Sequence, residues 1–164
     1  MDICCGDGRG LKKLKQMGFK NITGVEISDE KIKIAKSFAN VIKIDICCFD
    51  NNLPDVYDVI YSSHTIEHVL DPIYTINKIK KHLKPDGIMF LILPYPDYQA
   101  ADPNSMGGHN FKVHCGVMPL GLHLADKGET VCNIIKNIGF EIIKCDFSNY
   151  REPEIHLTLK NISK

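Results

Sequence analysis

The sequence has no tryptophan, no net charge at neutral pH and no long apolar run. Basic and acidic side chains number 20 each, which removes any general pull toward nucleic acid or an anionic membrane surface. No stretch reaches the roughly 18 apolar residues needed to cross a bilayer as a helix. The first residues carry Asp2 and Asp7 rather than a basic-then-apolar leader, so a soluble protein is expected. The 7 cysteines are odd in number and show no Cys-x-x-Cys spacing, which speaks against a disulfide framework or a zinc ribbon. Cys4-Cys5 and Cys47-Cys48 lie in apolar stretches, where free cysteine acts as a small buried hydrophobe, and a reducing cytoplasm suits that usage. Repeats, low-complexity tracts and linkers are missing too. Residues 1–164 therefore read as a single domain.

What is present is an alternation. Short β-branched runs at Asp2–Cys5, Ile22–Ile27, Val41–Ile46, Val56–Ser62, Ile88–Leu93, Glu141–Phe147 and Ile155–Leu159 predict strands. Helices are expected over 9–17, 29–39, 71–84 and 128–138, stopped by Gly18, by the turn Lys84-Pro85-Asp86-Gly87, and by Gly139. Strand alternating with helix argues for an α/β fold: a mostly parallel twisted sheet with helices on both faces. Only Ser148–Glu154 separates the last two strands, enough for a hairpin and too short for a helical crossover, so the C-terminal strand is antiparallel. A loop insertion of about 94–127 interrupts the pattern after the fifth strand.

The first strand runs into Cys4-Cys5-Gly6-Asp7-Gly8-Arg9-Gly10. Such a turn lets backbone approach a ligand and presents helix N–H groups to an anion. Glu26, 18 residues after Gly8 at the end of the second strand, is placed to accept hydrogen bonds from ribose hydroxyls. The dinucleotide pattern fails, because its third glycine falls at Leu11.

These residues resemble the class I S-adenosylmethionine-dependent methyltransferases. Asp2, Gly6 and Gly8 match the first motif, with Cys4 in place of its first glycine. Gly24-Val25-Glu26-Ile27-Ser28 and Lys43-Ile44-Asp45-Ile46 resemble the second and third motifs. Tyr57–His64, Leu83–Gly87 and Gly139-Phe140 follow in order, so the resemblance spans about 2–147. It implies a Rossmann-like methyltransferase fold, S-adenosyl-L-methionine as cofactor and transfer to a small-molecule acceptor by in-line displacement. It also implies a cofactor site: Asp2, Cys4, Gly6 and Gly8 about the methionine part, Glu26 on the ribose, Ile27 and Ile46 about the adenine, Asp45 on its amino group, and His64 alongside. From the residues alone, Ile27 and Ile46 are equally strand-end core, and Asp45 is equally a loop cap. The Asn-Pro-Pro-Tyr stretch of adenine or glutamine N-methylating relatives is missing.

An oxygen or nitrogen acceptor needs a proton sink, and His64, Glu67 and His109 are the candidate bases. His64-Thr65-Ile66-Glu67-His68 also spells H-x-x-E-H, the spacing of one zinc metalloprotease class, if the segment is helical. No third metal ligand announces itself, and no metal site is assigned; a pocket wall for His64 and a structural turn for Glu67 and His68 compete. The insertion carries Tyr95, Asp97, Tyr98, His109, His114 and His123, and is expected either to cover the acceptor pocket or to be a surface excursion. Family members carry an N-terminal helix and more apolar residues ahead of the first-motif aspartate, which is residue 2 here. The resemblance therefore implies a short central strand, with a fragment, or a partner protein or second copy covering that edge, as the expectations. A non-catalytic binding or regulatory subunit is the alternative function.

Overall fold

A computed structural model of the chain describes residues 1–48, 53, 56–95, 120–122, 126–149 and 153–162. Its strands are β1 (Asp2–Ile3), β2 (Thr23–Glu26), β3 (Asn40–Lys43), β4 (Tyr57–Ser63), β5 (Leu83–Pro94), β6 (Phe140–Ser148) and β7 (Glu154–Asn161). The helices are α1 (Arg9–Gln16), α2 (Asp29–Ala35), α3 (Pro72–Lys80) and α4 (Glu129–Asn137). All seven strands form one sheet in the order β3-β2-β1-β4-β5-β7-β6. The first five pair in parallel, and β7 runs antiparallel between β5 and β6.

Local chemistry sets the helix starts. Ser28 caps α2 by accepting from Lys31 N–H, and Asp29 and Glu30 place negative charge at its positive end. Asp71 caps α3 through Oδ1, 2.8 Å from Tyr74 N, with Pro72 in the first turn where no N–H is missed. Ile76 and Ile79 of α3 and Val131 and Ile135 of α4 pack into one large core with Ile60, Met89, Leu91, Leu157 and Leu159. Leu11, Ile32, Ala35, Val41 and Cys5 form a smaller core beneath α1 and α2.

Two expectations need correction. The expected helix 71–84 ends at Lys80, because Leu83 already pairs with Tyr57 as the start of β5. Lys84–Gly87 is a bulge inside that strand: Tyr57 lies opposite Leu83 and Val59 opposite Ile88, with Asp86 at φ 62. The cysteines are not uniformly core filler either. Cys5 is buried, whereas Cys47 and Cys145 are exposed. β1 is only two residues long, yet it sits centrally between β2 and β4. That juncture, where strand order reverses, is where α/β sheets bind ligands, at the carboxyl ends of the strands.

Candidate functional site

The turn leaving β1 takes positive φ at Cys4 (54°), Gly6 (57°) and Gly8 (84°). Gly6 needs its freedom only for that dihedral: among the described residues a Cβ there would meet nothing within 4 Å. Gly8 is different, since its Cβ would lie 2.9 Å from the backbone of Ala35 in α2. One glycine keeps space open in front of the loop, and the other lets a helix close behind it. Gly8 is also the N-cap of α1 and offers no side chain to the first-turn N–H groups. Asp2 is buried beneath, its Oδ2 only 2.8 Å from where a Cβ on Gly10 would stand. Burial pushes its carboxyl up to about 6. Cys4 and Cys5 are likewise pushed up to about 12 by burial, so neither thiol is a nucleophile at neutral pH.

Glu26, 5% exposed, is fastened to this loop. Oε2 accepts from Gly6 N (2.9 Å), and Oε1 accepts from Ile27 N and Ser28 N (2.9 Å each). A carboxylate offers about four acceptor positions, so roughly one remains on Oε2 for a ligand hydroxyl. Of the two isoleucines, Ile27 is 51% exposed at the end of β2 while Ile46 is 8% exposed and belongs to the core. Asp45 is exposed and accepts from Cys47 N (2.9 Å), a local turn bond.

At the end of β4 stands a second cluster. His64 has φ 49°, and its Nε2 lies 2.7 Å from Glu154 Oε1 while Nδ1 lies 3.5 Å from Glu67 Oε1. Glu67 is 1% exposed, and within the described residues neither of its oxygens has a hydrogen-bond partner; His68 Nε2 is 3.7 Å away. The second oxygen of Glu154 lies 2.8 Å from His156 Nε2. The Glu67 carboxylate first, then Glu154, hold the His64 imidazole protonated and push it up to about 9, against a smaller opposing effect of burial. At neutral pH His64 is therefore a charged donor, with no free lone pair to receive a proton. His109 lies outside the described residues.

The H-x-x-E-H stretch is not an α-helix. Ile66–His68 is a single 3-10 turn after a left-handed residue, so the two imidazoles lack helical i, i+4 geometry. Among the described residues no group of three or more His, Cys, Asp or Glu side chains is arranged to hold a metal ion.

Beside Glu154 opens a cavity of about 350 Å³ lined by Tyr95, Lys127, Phe147, Asn149, Pro153 and Glu154. Tyr95 is buried, its hydroxyl accepts from Gly128 N, and its ring meets Phe147 edge-on at 5.0 Å. Glu154, His156 and Phe147 were invisible as site residues in the sequence. Glu154 and His156 reach this end of the sheet because β7 runs antiparallel and starts there, and Phe147 because β6 ends there.

A family model described as a methyltransferase domain matches residues 1–145. The chain belongs to that family. A ubiquinone biosynthesis O-methyltransferase from Haemophilus ducreyi is 30% identical over 102 residues, 56% of this chain and 43% of that protein. The chain thus spans less than half the length of that curated relative. The N-methyltransferase NodS from Bradyrhizobium japonicum, solved with S-adenosyl-L-homocysteine, superposes with TM-score 0.68 at 16% identity, over 99% of this chain and 76% of that one. The cyclase SpnF superposes with TM-score 0.74 at 16% identity, over 99% of this chain and 74% of that one. These superpositions show that this methyltransferase-domain chain has the Rossmann-like methyltransferase fold. A cyclase shares it, so its chemistry has to be argued from the site.

Proposed function

We propose that this methyltransferase-domain chain binds S-adenosyl-L-methionine across the ends of β1 and β2 and transfers its methyl group to the hydroxyl of a small-molecule acceptor. The observation that carries the reading is Glu26: a buried carboxylate oriented by three backbone N–H groups, with one acceptor position left over beside an open Gly6. Among the described residues nothing uses that position, and a ribose hydroxyl fits it. The exposed face of Ile27 gives an apolar surface for a purine, and Asp45 stands exposed past the end of the neighbouring β3 for its amino group. The start of α1 and the turn at Gly6–Gly8 offer backbone N–H groups to a carboxylate. The cofactor would supply a methyl sulfonium that is already activated: its S–CH3 bond breaks as the acceptor oxygen takes the methyl group, and S-adenosylhomocysteine leaves. The hydroxyl proton passes to Glu67, the candidate base that remains among the described residues and whose oxygens have no hydrogen-bond partner there. The protein's task is therefore alignment, proton removal and exclusion of water. The O-methyltransferase relatives favour a hydroxyl acceptor, and the zero net charge suits a small molecule over a nucleic acid.

Calorimetry tests this reading. S-adenosylmethionine and S-adenosylhomocysteine should both bind the wild-type chain, and Glu26→Ala should weaken each at least about tenfold, the loss of one charge-assisted hydrogen bond. A folded wild-type chain that binds neither compound would sink the proposal. Binding without methyl transfer to any acceptor in a labelled-donor screen would support the non-catalytic alternative instead.

A further inference from the structure

We propose that Glu154 of β7 is a positioning residue of this site: its carboxylate, shared between His64 and His156, clamps the His64 ring at the carboxyl end of β4. The inference rests on the methyl-transfer reading and adds to it a residue 90 positions away in the chain. Four observations carry it.

The first is topological. β7 is antiparallel to β5 and its first residue pairs with Pro94, the last of β5, so Glu154 is delivered to the same end of the sheet as His64. The second is conformational. A left-handed backbone is unfavourable for a residue bearing a Cβ, and such residues persist where surrounding contacts over-determine them. The third is that both edges of the ring are engaged. Glu154 takes Nε2 at 2.7 Å and Glu67 stands 3.5 Å from Nδ1, an arrangement that a neutral imidazole, with one N–H, satisfies only in part. The Nε2 contact is the short one, so Glu154 orients the ring while Glu67 supplies buried charge beneath it. The fourth is that Glu154 is itself oriented, by His156 Nε2 at 2.8 Å on its other oxygen.

The test is a nitrogen-detected NMR titration of the His64 ring in wild type, Glu154→Gln and His156→Ala, with S-adenosylhomocysteine affinity measured by calorimetry on the same samples. Glu154→Gln keeps the size and the hydrogen-bonding reach but removes the charge. It should lower the His64 midpoint by about one pH unit or more. His156→Ala should lower it less, and both variants should keep the cooperative unfolding transition of wild type. A His64 midpoint indifferent to Glu154→Gln overturns the positioning role. So does a shifted midpoint accompanied by loss of that cooperative unfolding transition, which would make Glu154 a general prop of the fold. Failure of the wild-type chain to bind S-adenosylhomocysteine refutes the methyl-transfer reading itself, and is seen independently of the titration.

Discussion

At the scale of single residues, the two glycines of the first turn divide open space from packing. Gly8→Ala puts a methyl group 2.9 Å from the Ala35 backbone at a φ of 84°, so clash and dihedral strain add. A loss of about 2–3 kcal/mol is expected, visible in denaturant unfolding as a lower midpoint at unchanged slope. Gly6→Ala meets only the dihedral penalty of about 1 kcal/mol, because no described residue lies within 4 Å of the added methyl group. It should nevertheless weaken S-adenosylhomocysteine binding more than Gly8→Ala does, and the reverse order by calorimetry would place the ligand elsewhere. The spacing of these glycines was legible in the sequence, but which one stands clear and which one packs was not, because that depends on where α2 returns. Cys4 shows the same limit. It stands where a glycine was expected, and the backbone takes φ 54° there regardless.

At the scale of elements, sequence signals act where they are local and fail where pairing decides. Ser28, just ahead of the expected helix 29–39, caps α2, and Asp71, expected inside a helix, instead caps α3; Asp71→Ala should cost about 1 kcal/mol. For a chain of this length that is a fall of roughly 2–4 °C in melting temperature. Asp71 lies away from Glu26, so S-adenosylhomocysteine affinity should stay unchanged; a large loss of affinity would mean that the cap also sets the β4–α3 segment bearing His64. The Lys84-Pro85-Asp86-Gly87 turn was legible as a turn, yet it does not end the helix before it. Tyr57 pairs with Leu83 ahead of the turn, and that register is a long-range event with no local signature. The β6–β7 hairpin is the clearest case. Its two strands and short connection follow from alternation and length, whereas the contact from Glu154 to His64 needs the order β4-β5-β7, which no local pattern encodes.

At the scale of the whole molecule, zero net charge leaves the pH dependence of stability to a few perturbed groups. His64 is raised from its ordinary 6.5 to about 9 by Glu67 and Glu154, with His68 and His156 also near those carboxylates. A group whose folded value is raised contributes stability fully below its unfolded value and loses it as pH climbs through the folded one. The His64 contribution is thus complete below about 6.5 and gone above about 9. The carboxyl of Asp2, raised to about 6, works in the same sense but in a lower window that is finished before the His64 window opens. Cys4 and Cys5, raised to about 12, act only above it. The Met1 amine, held below its ordinary value by burial, works in the opposite sense within the range, so neither melting curve alone isolates His64. The difference between wild type and His64→Asn does. Asparagine tolerates the left-handed backbone and does not titrate, leaving the missing imidazolium as the main change. With the side chain 38% exposed, screening reduces the contribution to about 1 kcal/mol, or roughly 2–4 °C. Wild type should therefore exceed His64→Asn in melting temperature by more at pH 6.5 than at pH 9, and a difference constant across that range would show that the two carboxylates do not hold His64 charged.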